Sequence, residues 1–162
     1  MTSVRFVFPK PRLNELLRSP GGLPVAEALE RAQANLEAIK PTCIAELMAL
    51  LELCEASYWN LKDEYDAPAV TELYSLAVKG IGAGEVCNLP PVDVALTSFC
   101  DLLDHLRTLK RYDHDAVGVH VRAWRLLMTS DLPAAGSQQI LDGLLKVSHR
   151  YAAEAKAAID AA

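Results

Sequence analysis

Four histidines, four cysteines and one glycine-rich run are the residues of this chain whose types could do chemistry. A structural zinc site needs paired ligands at short spacing, and Cys43, Cys54, Cys87 and Cys100 form no Cys-x-x-Cys pair. They fall inside helical patterns and read as small core residues. A di-metal helical bundle needs Glu-x-x-His pairs on two helices, and Glu27, Glu30, Glu46, Glu52 and Glu55 belong to none. Their spacing reads as a solvated face, and no metal or cofactor is expected. Hydrolase chemistry lacks an anchor, because no Gly-x-Ser-x-Gly elbow is present. The run Gly80-Ile-Gly-Ala-Gly84 follows no strand and has neither the dinucleotide-binding nor the Walker spacing. No catalytic role is expected.

The histidines read individually. His105 follows the polar side of its helix, and His114 lies in the first turn after Asp113, where cap chemistry explains it. His120 stands within the apolar stripe of Val117, Val121 and Trp124 and reads as a hydrogen-bonded core or groove histidine. His149, beside Lys146 and Arg150, reads as a surface residue.

The elements that position these groups follow from periodicity. Residues 1–22 read as an N-terminal arm, with an extended stretch Val4 to Pro9, then a short helix from Pro11 to about Ser19 carrying Leu13, Leu16 and Leu17. Residues 23–162 read as one bundle domain. From Val25 the stripe Leu29, Ala32, Leu36, Ile39, Cys43, Leu47, Leu50 and Cys54 recurs at steps of three and four, in phase across Pro41, which predicts one long kinked helix. Asp66-Ala-Pro68 starts the next helix, with Val70, Leu73, Ala77, Gly80 or Ile81, and Gly84 inward, and Glu72, Ser75, Leu76, Lys79 and Ala83 to one side or outward. Asn88-Leu-Pro-Pro turns the chain into a helix from Val92 to Arg111 whose core face is Val92, Ala95, Leu96, Phe99, Leu102, Leu103 and Leu106. The short turn makes these two helices antiparallel neighbours. Asp113 caps a helix to Thr129 with Val117, Val121, Trp124, Leu127 and Met128 inward. After a break at 131–136, Ser137 opens a last helix through Ile140, Leu141, Leu144, Leu145, Val147 and Tyr151, and Ala152 to Ala162 is an end prone to fraying. The expected fold is all-α: an up-and-down four-helix bundle with an N-terminal helical arm and an additional C-terminal helix.

With 162 residues and 51% hydrophobic content the chain can bury a core of domain size. A net charge of -5 argues against sequence-independent binding of nucleic acid. No apolar run approaches the ~18 residues of a spanning helix, and Met1 to Phe8 lacks the apolar core of a signal peptide, so a cytoplasmic protein without a membrane partner is expected.

Leu76-Ala-Val-Lys79-Gly80, followed by small residues, Asn88-Leu-Pro-Pro and a leucine-rich helix, resembles the histidine phosphotransfer domains of two-component signalling, four-helix bundles with a His-x-x-Lys-Gly signature. Leu76 stands at the phosphoacceptor position, so the resemblance carries over Lys79 and Gly80 but not the reaction. It implies a docking face of Glu72, Ser75, Leu76, Lys79, Gly80 and Ala83 for a response-regulator receiver. None of the four histidines, His105 and His120 included, restores the signature. A second pattern joins Leu13 to Gly22, Ala26 to Leu36, Cys100-Asp-Leu-Leu-Asp104 and Val119 to Leu127, and resembles the CheE-type chemotaxis accessory proteins of alphaproteobacteria. It implies a non-enzymatic regulator whose partner is a chemotaxis signalling protein. The competing reading is a self-associating structural bundle, a possible homodimer, in which the small residues of Ile81 to Gly84 let two helices pack closely.

Overall fold

The computed structural model describes residues 21–61 and 64–161. The expected arm and its short helix, up to residue 20, lie outside them. Two compact units divide the chain, Met1–Glu37 and Ala38–Ala162. The described part of the first is a turn at Gly21 and the beginning of α1 (Val25–Asn60), whose side chains are nearly all exposed. The second holds the rest of α1, then α2 (Ala67–Gly80), the single turn α3 (Ala83–Val86), α4 (Pro90–Leu109), α5 (His114–Thr129) and α6 (Ala134–Asp160). Among the described residues every regular element is a helix, as the periodicity predicts.

Local chemistry sets the boundaries. Asp66 is extended at the N-cap of α2 and a proline stands in its first turn, as it does in α4, where a missing N–H is no loss. Asp113 caps α5 as expected, accepting a hydrogen bond from the Ala116 amide at 2.9 Å. The end of α4 closes by two bonds, Lys110 N–H to Arg107 carbonyl and Arg111 N–H to Leu106 carbonyl, both 3.1 Å. Lys110 takes the left-handed conformation usually given to glycine there, φ 48°. Pro41 lies inside α1, so the stripe on either side of it belongs to one helix.

The core of the second unit is centred on α4, which packs against α2, α3, α5 and α6. All seven residues assigned to its core face are buried, together with Ser98 and Cys100. α1 contributes Leu47, Leu51, Cys54 and Tyr58. Val25, Leu29, Leu36 and Ile39, part of the apolar stripe in the sequence reading, are exposed. A repeat of three and four locates an apolar face but not what covers it. α6 opens three residues before the expected Ser137, and its alanine-rich end stays helical to Asp160, with Ala155 buried. Cys54, Cys87 and Cys100 are buried and free, and burial pushes the Cys54 thiol up to about 12. No described helix is long and apolar enough to cross a membrane.

Candidate functional site

α2 carries most of the residues expected to dock a partner. Glu72, Ser75 and Lys79 are exposed, and their spacing of three and four places them on one face. Beside it, Lys79 forms one wall of a groove of about 380 Å³ whose other lining residues come from α1: Glu46, Ala49, Leu50 and Leu53. Three of the six residues do not join that face. Leu76 is only 8% exposed and belongs to the core, correcting its outward placement. The cause is helical geometry: Leu73, Leu76, Ala77 and Gly80 follow one another at steps of three, one and three and so share the buried stripe. Gly80 is buried as well, and a Cβ there would lie 2.9 Å from Leu96 Cδ1 and 3.2 Å from Leu47 Cδ2. Its missing side chain lets helices of the same chain approach. Ala83, half-buried, lies beyond the end of α2 in α3.

The helix expected to continue to Gly84 stops at Gly80, because Gly82 turns the chain with φ 89°. The three backbone amides that this turn exposes converge on one carboxylate. Asp93 Oδ1 accepts from Gly82 N–H at 2.9 Å and Gly84 N–H at 3.1 Å, and Oδ2 accepts from Glu85 N–H at 2.9 Å. Backbone amides that converge in this way form an anion-binding nest. Here the anion is a side chain from the first turn of α4. A Cβ on Gly84 would meet the Leu89 carbonyl oxygen and the Asp93 carboxyl carbon, each at 2.8 Å, so this glycine is required by close approach. Sequence reasoning passed over Asp93, since its partners are eight to eleven residues away.

A second polar group lies inside the bundle. His120 is buried, with Nδ1 3.0 Å from the Ala116 carbonyl, Nε2 3.2 Å from Ser98 Oγ and its ring stacked on Phe99. A carbonyl can only accept, so Nδ1 carries the proton and Nε2 accepts from the Ser98 hydroxyl. Ser148 Oγ donates to the Ser98 carbonyl at 2.8 Å and lies 3.0 Å from Ser98 Oγ. The chain of bonds joins α4, α5 and α6 and suits a neutral imidazole. Burial holds His120 down at about 4, partly opposed by the backbone hydrogen bond to Ala116. The histidine reading of the sequence is met; its partner Ser98 and Ser148, which bonds to Ser98, lie 22 and 28 residues from it and carry no local signal.

Two charged clusters complete the surface. Asp113, besides capping α5, accepts a hydrogen bond from the Tyr151 hydroxyl, and the guanidinium groups of Arg111 and Arg150 lie over the Tyr151 ring at 5.2 and 5.6 Å. Burial raises the Asp113 carboxyl, but the bonds from Tyr151 and Ala116 and the two arginine charges hold it below the ordinary value. Both arginines pair with Glu154. Arg125 makes a two-pronged pair with Glu55, tying α5 to α1. His114 stacks on Tyr58 with ring centres 4.3 Å apart, a tertiary contact that its position in the first turn of α5 does not announce. His149 is exposed and His105 half-buried. Among the described residues no three His, Cys, Asp or Glu side chains gather as metal ligands would. No protein-family model, curated protein or solved structure matches the chain.

Proposed function

We propose that the chain is a non-catalytic regulator or scaffold of a bacterial two-component or chemotaxis pathway: a phosphotransfer-like helical bundle without a phosphoacceptor that binds a response-regulator receiver. The observation that carries this reading is the groove beside Lys79. An exposed cation there borders the apolar side chains Leu50 and Leu53, and Glu72 and Ser75 continue the same face along α2. A lysine next to an apolar patch suits the rim of an acidic site on a partner, with the leucines supplying the desolvated contact. Leu76 and Gly80 act behind that face. They set the depth at which α2 sits on the core, and the apolar, buried residue at position 76 offers nothing that could accept a phosphoryl group.

The test is direct. The protein is mixed with a receiver carrying labelled aspartyl phosphate, and binding and label are followed together. Complex formation is expected with the label retained by the receiver, and Lys79→Glu and Leu53→Asp are each expected to weaken binding at least tenfold without changing the melting temperature. Stable phosphohistidine on this chain, or affinities indifferent to both substitutions, refutes the reading.

A further inference from the structure

Between the start of α5 and the middle of α6 lies an open pocket of about 420 Å³, wholly within the second unit. Its walls carry opposite charges. Asp113 and Asp115 stand on the α5 side and Lys146 and Arg150 on the α6 side. Ala116, Val119 and Val147 give an apolar floor between them, with Val119 40% exposed.

On each wall one charge is satisfied and the other is not. Asp113 accepts from the Ala116 amide and the Tyr151 hydroxyl, and Arg150 is held by Glu154 at 3.1 Å and lies over the Tyr151 ring. Asp115 and Lys146 make no hydrogen bond or ion pair among the described residues, so they do not meet across the pocket. Lys146 also stands one helical turn from Arg150, a like-charged neighbour whose repulsion an anion between them relieves. The bonded members fix the two walls before anything binds. The unbonded members present a carboxylate and an ammonium to the same space.

That arrangement selects among small molecules. A phosphate ester is repelled by the acids of the α5 wall, and an amine without an acid group by the cations of the α6 wall. A sugar meets an apolar floor that offers its hydroxyls no partner. A molecule with one charge of each sign and an aliphatic body suits both walls and the floor. We propose that this pocket binds a small aliphatic zwitterion, an α-amino acid of the leucine kind. Its ammonium pairs with Asp115, its carboxylate with Lys146 and Arg150, and its side chain lies on Val119 and Val147. The receiver-binding face lies on α1 and α2 and shares no residue with this pocket. Asp115 and Lys146 are exposed, so their pairs with the ligand are weakened by water and dissociation constants on the order of 1 mM are expected.

Amide NMR of the isotope-labelled full chain, titrated with leucine to about 20 mM, well above that dissociation constant, tests it. Saturable shifts are expected at the amides of Ala116, Val119 and Val147. N-acetylleucine lacks the ammonium and leucinamide lacks the carboxylate, and each is expected to bind at least about tenfold more weakly than leucine. Asp115→Asn and Lys146→Gln are each expected to weaken leucine binding by about tenfold with an unchanged melting temperature, since both positions are exposed. A titration without saturable shifts at these amides, or with shifts only elsewhere, overturns the proposal. Equal affinity for leucine and its two blocked forms, or indifference to both substitutions, overturns it equally, because the charges then select nothing.

Discussion

Acidification isolates one buried group. His120 has an ordinary value of 6.5 and is held at about 4 in the fold. The folded state therefore binds fewer protons than the unfolded chain between those two values, and stability must fall as pH drops through that window. The full loss is on the order of 3 kcal/mol, at about 1.4 kcal/mol per pH unit, and is reached only below pH 4. Between pH 7.5 and 5 the same relation gives a loss of about 2 kcal/mol. The carboxyls that the fold holds low, Asp113 and Glu154, release their stabilisation as pH falls through and below the ordinary carboxylate range, so they contribute little above pH 5. Urea denaturation followed by circular dichroism at each pH reads the difference. With a denaturant slope of about 2 kcal/mol per molar, the wild-type midpoint moves down by about 1 M. His120→Phe keeps the stacking partner of Phe99 and leaves Ser98 bonded to Ser148, but it cannot titrate. Its midpoint is expected to stay nearly constant over the same interval, whatever its starting stability. Equal acid losses in both proteins, or a His120 ring that titrates near 6.5 by NMR, refute the reasoning.

Three further perturbations follow. Asp93→Ala removes a carboxylate that holds three amides and is expected to lower stability by about 1–3 kcal/mol in the same assay, most of it from the amide of buried Gly84, since the other two can turn to water. Gly84→Ala forces a methyl against the Leu89 carbonyl and the Asp93 carboxyl and is expected to cost about 1–3 kcal/mol. Leu76→Asp buries an unpaired carboxylate, so thermal melting is expected to show a large destabilisation, several kcal/mol; Ser75→Asp on the neighbouring exposed position is expected to change stability by less than about 0.5 kcal/mol.

What could be read from the sequence divides along physical lines. The core face of α4 was fully legible, because a helix covered over most of its surface writes its burial into a dense repeat of Val, Ala, Leu and Phe. The Asp113 cap was legible because donor and acceptor are three residues apart. The exposed start of α1 was not, since its spacing is the same whether or not another surface covers it. Leu76 was misplaced because it sits one residue before Ala77, at the edge of a stripe whose width no periodicity defines. The glycines around Gly82 read as small residues that let helices pack closely. Their reason, a carboxylate arriving from the next helix, is tertiary and leaves no mark on neighbouring residues.

The central position of α4 has a consequence for how the bundle assembles. Its contacts with α2 and α5 join helices close in sequence, with only α3 and its flanking turns before α4 and residues 110–113 after it, and these close at little entropic cost. Its contact with α6 spans the whole of α5 and waits on a longer closure. The hairpins around α4 are thus expected to be largely formed in the folding transition state, with α6 docking after them. Truncations at Leu96 or Phe99 will then slow refolding, whereas truncations at Leu141 or Leu144 will mainly hasten unfolding.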